Sequence, residues 1–223
     1  MRRSSLAVVG ATAALVLAGC GGVNPGAAAT VDGETIPLSE VDAMARAFCA
    51  ADLVSARMQD QQVPARGTAD YRNRVLGTLV NAELASAAVD ELGIDVPESA
   101  SESDLDQFAE LFAELSASDT ESLRAYIDVF GELDASTQAI GREQGGEQAG
   151  ADAEAAAAAG QAYLVERAAQ ADIELDPRFG EFTDGQVVPD SGSLSVPVAG
   201  EEPAAAGAET EVDADAPASQ VCG

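Results

Sequence analysis

The sequence predicts a mainly helical protein with a small amount of strand and an acidic C-terminal tail. Three observations lead there. Apolar residues recur at three- and four-residue spacing through most of residues 39–171. Strand signals lie near Val31, Ile36 and Ile173, while one further short apolar run, Leu194 to Val198, falls in an irregular stretch. From residue 199 to 223 the chain carries six acids, no basic residue and many Ala and Pro, a composition that cannot fill a core.

Taken in chain order, the first segment lies outside the fold. Arg2 and Arg3 precede an apolar run from Leu6 to Leu17, too short for a stable membrane anchor. The run closes on Leu17-Ala18-Gly19-Cys20, which resembles the bacterial lipobox. That resemblance implies a lipoprotein signal peptide over 1–19, cleavage before Cys20 and a diacylglycerol thioether on its sulfur. The covalent lipid on Cys20 would hold the protein on the extracytoplasmic face of the cell membrane. The alternative is an ordinary secretory signal with an incidental cysteine. Residues 20–26 read as a tether.

A helical domain is expected over 27–180. Asp32-Gly33-Glu34 between Val31 and Ile36 is a hairpin signal. Ser39 is read as a helix cap, with Asp42 in a capping-box position. Val41, Met44, Phe48 and Ala51 then form an apolar stripe. Residues 59–67 read as a loop. A long helix follows from about Asp70 to Leu92, with Gly93 suited to end it. Residues 94–97 form an extended linker. Asp104 to Leu115 is strongly amphipathic, and Ser118 with Glu121 predicts the next helix start. In that helix Leu123, Tyr126, Ile127 and Phe130 share one face. Residues 141–150 are a loop or a fraying helix, and Ala151 to Ala171 is the last helix. Ile173 to Leu175 alternates like a strand. Residues 181–198 read as an irregular extension, and 199–223 as an acidic low-complexity tail.

Composition narrows the function. The 223 residues carry a net charge of −28, and all 11 basic residues are arginine. No basic stripe exists to neutralise phosphates, so nucleic acid is not an expected partner. Histidine is absent, which removes Ser-His-Asp and Cys-His nucleophile systems and every zinc site that needs an imidazole. Catalysis would have to rest on carboxylates, hydroxyls or arginine, and nothing marks out one pair among the 39 acids, so no catalytic residue, metal site or cofactor is expected beyond the lipid itself.

The chain has three cysteines. With Cys20 lipidated, Cys49 and Cys222 remain, and an even remainder in an oxidising compartment reads as one disulfide. Two free thiols are the alternative.

The segment Ala28-Ala29-Thr30-Val31-Asp32-Gly33-Glu34-Thr35-Ile36-Pro37-Leu38-Ser39 resembles the start of a SurA-type N-terminal chaperone domain. Asp176-Pro177-Arg178-Phe179-Gly180 resembles the segment that follows the last helix in SurA- and PrsA-like extracytoplasmic foldases. The resemblance implies a helical chaperone scaffold with a short hairpin and a returning strand. The chain departs from that family in having neither histidine nor room for the parvulin isomerase domain. The expectation is thus a chaperone-like holdase without isomerase activity, with unfolded or exported polypeptides as partners. Phe108, Leu111, Phe112 and Leu115 are the candidate client-binding residues; core packing is the other use for such a stripe. The alternative function is a structural or partner-recruiting envelope lipoprotein.

Overall fold

The computed structural model describes residues 25–61, 66–97, 105–189 and 221–222. The signal segment, Cys20, most of the tether and the acidic tail up to Gln220 lie outside the described residues. So does the apolar run from Leu194 to Val198.

The fold is mainly helical with small antiparallel sheets. Strand β1 (Ala27–Val31) turns at Asp32-Gly33 into β2 (Glu34–Pro37). Both turn residues have positive φ, 49° and 93°, which is why Asp-Gly serves here. Helix α1 (Leu38–Met58) follows directly. The expected cap does not form: Pro37 is the N-cap, and no side chain bonds the first turn. Leu38 N–H instead donates to Gly26 O at 2.7 Å, and the chain enters the helix two residues early. Asp42 is freed for an ion pair with Arg72 at 2.8 Å.

After α1 the short strand β3 (Arg66–Gly67) leads into α2 (Thr68–Leu92), where a loop was expected. Gly93 closes α2 in the left-handed conformation. The amphipathic segment is a 3-10 turn (Asp106–Phe108) followed by the six-residue helix α3 (Ala109–Glu114). Helix α4 (Ala117–Gln144) starts earlier than the Ser118–Glu121 reading allowed. Ser116 Oγ accepts from Asp119 N–H at 3.1 Å, so the cap lies two residues upstream. The helix breaks at Gly145-Gly146, α5 (Gly146–Ala151) follows, and α6 (Ala153–Ala168) is capped by Asp152, whose Oδ1 accepts from Ala155 N–H.

Strand β4 (Ile173–Leu175) returns to pair antiparallel with β1, giving a sheet of order β2-β1-β4. Asp32 ties the hairpin to this return. Its N–H donates to Asp172 O and its Oδ1 accepts from Asp172 N–H, each at 2.9 Å. Arg167, at the end of α6, reaches both Asp32 and Glu91 at 3.5 Å. One guanidinium thereby links the hairpin turn, the end of α2 and the end of α6.

The main core gathers β1, α1, α2, α4 and α6 around Val41, Val75, Leu76, Val80, Leu84, Ile140 and Leu164. Phe179 of the Asp176–Gly180 segment joins it at 2 % exposure. Asp176 shapes that entry. Its N–H donates to Ala28 O, and its carboxylate accepts from Arg178 N–H and Nε–H. Burial opposes its ionisation, but the Arg178 hydrogen bonds and charge prevail and hold the carboxyl below its ordinary value.

Helices α4 and α6 meet backbone to backbone. A Cβ on Gly160 would overlap the Thr137 carbonyl oxygen, and one on Gly141 would overlap the Ala156 carbonyl oxygen. No side chain separates the helices at these two points.

Residues 181–188, expected to be irregular, form a second hairpin of β5 (Glu181–Thr183) and β6 (Gln186–Val188). Its turn is again Asp-Gly, Asp184-Gly185, with φ of 52° and 77°. The hairpin lies on α2: Asn81 Nδ2 donates to Gly77 O and to Gly185 O at 2.8 and 2.9 Å. Val187 of the hairpin packs at ordinary contact distance over Gly77 of α2. The last described element, β7 (Val221–Cys222), pairs antiparallel with β3, Arg66 opposite Cys222 and Gly67 opposite Val221.

Candidate functional site

Two surfaces hold the chemistry-bearing residues: a small apolar patch beneath α3, and a polar cleft between α2 and the second hairpin.

The patch is a satellite core separate from the main one. Ala47 and Ala51 of α1, Leu123 of α4 and Phe112 of α3 are its buried members. Phe108, Leu111 and Leu115 pack partly buried against it, with Phe48 and Ile127. All four candidate client-binding residues thus turn inward on α1 and α4. The stripe spacing made them one face, and that face is covered. Phe112 is 8 % exposed, and the Arg124 guanidinium sits 4.5 Å from its ring centroid on the outer side. The cover is thin: one 3-10 turn and six helical residues, with Gln107, Ala109, Glu110, Ala113 and Glu114 in solvent.

An aromatic run borders the patch. Phe48 meets Tyr126 edge to face at 4.5 Å, and Tyr126 stacks with Phe130 at 6.4 Å. Tyr126 is buried and its hydroxyl lies 3.0 Å from Thr78 Oγ1. Phe130, read on the same face as Leu123, Tyr126 and Ile127, is 55 % exposed.

The cleft has a volume of about 710 Å³ and an open mouth. Arg66, Tyr71, Asn73, Arg74 and Thr78 form one wall, and the main chain and side chains of Gln186, Val187 and Val188 form the other. Asp70, Glu181 and Asp184 also line it, so its charge is mixed rather than basic. Tyr71 O–H donates to Asp52 at 2.7 Å. Burial, then the hydrogen bond to Asp52 and its charge, push the phenol far above its usual range, against a smaller opposing pull from Arg66 and Arg74. Tyr71 therefore stays protonated and acts as a donor, not as a base. Nothing in the sequence pointed to this cleft, because its walls come from residues about 110 positions apart, such as Asn73 and Thr183.

At one end of the cleft, beside Arg66, Cys222 is disulfide-bonded to Cys49 with Cα atoms 5.7 Å apart. Cys222 is 2 % exposed and packs in the main core, while Cys49 is half-buried on α1. Cys20 lies outside the described residues. Among the described residues no cluster of three or more acidic or cysteine side chains is placed to hold a metal ion. No helix among them is long and apolar enough to cross a membrane.

No family model, curated protein or solved structure matches the chain.

Proposed function

We propose that the protein is a lipid-anchored extracytoplasmic holdase that binds unfolded or exported polypeptides and catalyses no reaction. The observation that carries this reading is the satellite patch. A polypeptide binder must store apolar surface that can be presented without unfolding the domain. Here Ala47, Ala51, Leu123 and Ile127 lie under a short arm, residues 105–115, outside the main core, and Phe48 bridges the two. In this reading the arm opens and a client's apolar segment replaces Phe112. The net charge of −28 keeps the loaded complex dispersed.

The scaffold assignment has its own support. In the SurA-like resemblance a hairpin begins the domain and a terminal segment returns to it. Strand β4 pairs with β1, and Phe179 of the resembling segment is buried. The membrane assignment rests on Arg2, Arg3, the Leu6–Leu17 run and the Leu17–Cys20 motif.

Two measurements test the reading. Cys20→Ser should leave the protein unlipidated, and either uncleaved or released; a cleaved variant fully retained in the membrane rejects lipid anchoring. The lipid-free protein should delay aggregation of an unfolding client at near-stoichiometric ratio. Absence of delay at tenfold excess rejects the holdase and favours a partner-recruiting lipoprotein.

A further inference from the structure

The 105–115 arm shows what shape of ligand the satellite patch accepts. From Phe108 onward its residues turn inward at Phe108, Leu111, Phe112 and Leu115 and outward between them. That is the i, i+3, i+4, i+7 period of an amphipathic helix; an extended strand would bury alternate residues. The floor matches this period. Ala47 and Ala51 lie one turn apart on α1, and Leu123 and Ile127 lie one turn apart on α4. Two small residues on one helix and two branched ones on the other leave a furrow that takes the side-chain ridge of a third helix. The Phe108 and Phe112 rings, one turn apart on the arm, sit in it with centroids 6.1 Å from each other.

One place in the furrow has a chemical preference. The Arg124 guanidinium stands 4.5 Å from the Phe112 ring centroid. A cation so placed is attracted to an aromatic face and gains nothing comparable from an aliphatic side chain. The main chain of Phe112 is held separately, since its carbonyl accepts from Thr120 Oγ1 at 3.3 Å. We propose that the arm is a built-in stand-in for the client. The ligand of the furrow is a short amphipathic helix of an exported polypeptide, with anchors at i, i+3, i+4 and i+7 and an aromatic ring at i+4 beneath Arg124. This inference rests on the holdase reading and names the class of client. Arg124 sets the preference at the i+4 anchor. The arm competes for the furrow from within the same chain, so a free helix binds in proportion to the open fraction.

The test uses the lipid-free protein. The probe is a fluorescein-labelled, helix-stapled peptide with the sequence of residues 105–115, Leu-Asp-Gln-Phe-Ala-Glu-Leu-Phe-Ala-Glu-Leu. Two comparison peptides are used: one of the same composition with apolar residues at alternate positions, and one with leucine in the Phe112 position. Phe112→Ala and Thr120→Val each loosen the competing arm, the second without opening a cavity. By fluorescence anisotropy the probe should bind either variant about fivefold or more tightly than it binds the parent. Adding Arg124→Met to either variant should weaken the probe by about two- to fivefold and leave the leucine peptide unchanged. Equal binding of the alternate-pattern peptide, no gain from either loosening substitution, or an equal loss for probe and leucine peptide on Arg124→Met would overturn the inference. Client aggregation scores the underlying reading separately. A protein that delays aggregation yet gives one of these three results keeps the holdase reading and loses this one, whereas absence of delay rejects both.

Discussion

Helix α4 is held in two very different ways along its length. Near Thr137 and Gly141 it meets α6 through bare backbone, with Gly160 and Ala156 opposite. Near Leu123 and Ile127 it meets the 105–115 arm through side chains such as Phe112 and Leu115, with one hydrogen bond from Thr120 Oγ1 to Phe112 O at 3.3 Å. The first contact has one register, since any added atom at Gly141 or Gly160 collides with a carbonyl group. The second is a small apolar cluster under one 3-10 turn and six helical residues, which in the proposed holdase separates while the backbone of α4 stays intact. The same helix can therefore serve as fixed frame at its C-terminal half and as part of a releasable surface at its N-terminal half.

The contrast can be broken first at the crossing. Gly160→Val should cost about 3 kcal/mol or more, as overpacked cores do, and lower the melting temperature by on the order of 10 °C. A variant melting within 2 °C of the parent would show that the helices do not meet as closely as Gly160 and Thr137 indicate. Removing the bond with Cys49→Ser and Cys222→Ser together should cost about 2–4 kcal/mol. Amide exchange would then rise at β3 and along α1 near Cys49, while α4 and α6 keep their protection. Exchange rising equally at the crossing would mean the two ends of the molecule are not separable.

Smaller effects sharpen the arm's side of the comparison. Phe112→Ala should cost about 1–2 kcal/mol, below the 3–5 kcal/mol of a phenylalanine in a closed core. The loss should appear as faster exchange over 105–115 rather than as earlier global melting. Glu83 supplies a change outside both regions. Burial, then repulsion from Glu34 and Glu40, raises its pKa in the folded state. A raised carboxyl pKa means stability is greatest below the unfolded pKa and declines as pH climbs through the folded one. Glu83→Gln should thus stabilise at pH 7 by about a few tenths of a kcal/mol, because the group is exposed and screened. The gain should vanish below about pH 4, as titrated by thermal melts.

Legibility differed by element for physical reasons. The Asp32-Gly33 hairpin was readable because a turn that needs two positive φ values restricts residue choice. The same argument applies to Asp184-Gly185 between Thr183 and Gln186, so the second hairpin was legible in its turn residues even though its strands are only three residues long. The long helix α2 and its stop at Gly93 were visible in spacing and in one glycine. The start of α4 falls two residues before the Ser118-x-x-Glu121 box because Ser116 Oγ accepts from Asp119 N–H, a cap that the stronger downstream box hides in the sequence. The α4–α6 crossing was illegible: Gly141 looked like a breaker, and its purpose is seen only with Ala156 opposite. The candidate client-binding stripe was read correctly as one face, but what covers it depends on tertiary structure.

The most direct measurement is hydrogen–deuterium exchange of the lipid-free protein with and without an unfolded client. The account predicts that residues 105–115 exchange faster than the α4–α6 crossing in the free protein. On adding client, Ala47 to Ala51 and Leu123 to Ile127 should gain protection, while the crossing stays unchanged. Protection confined to other surfaces, or an arm as slow to exchange as Thr137 to Gly141, would contradict it.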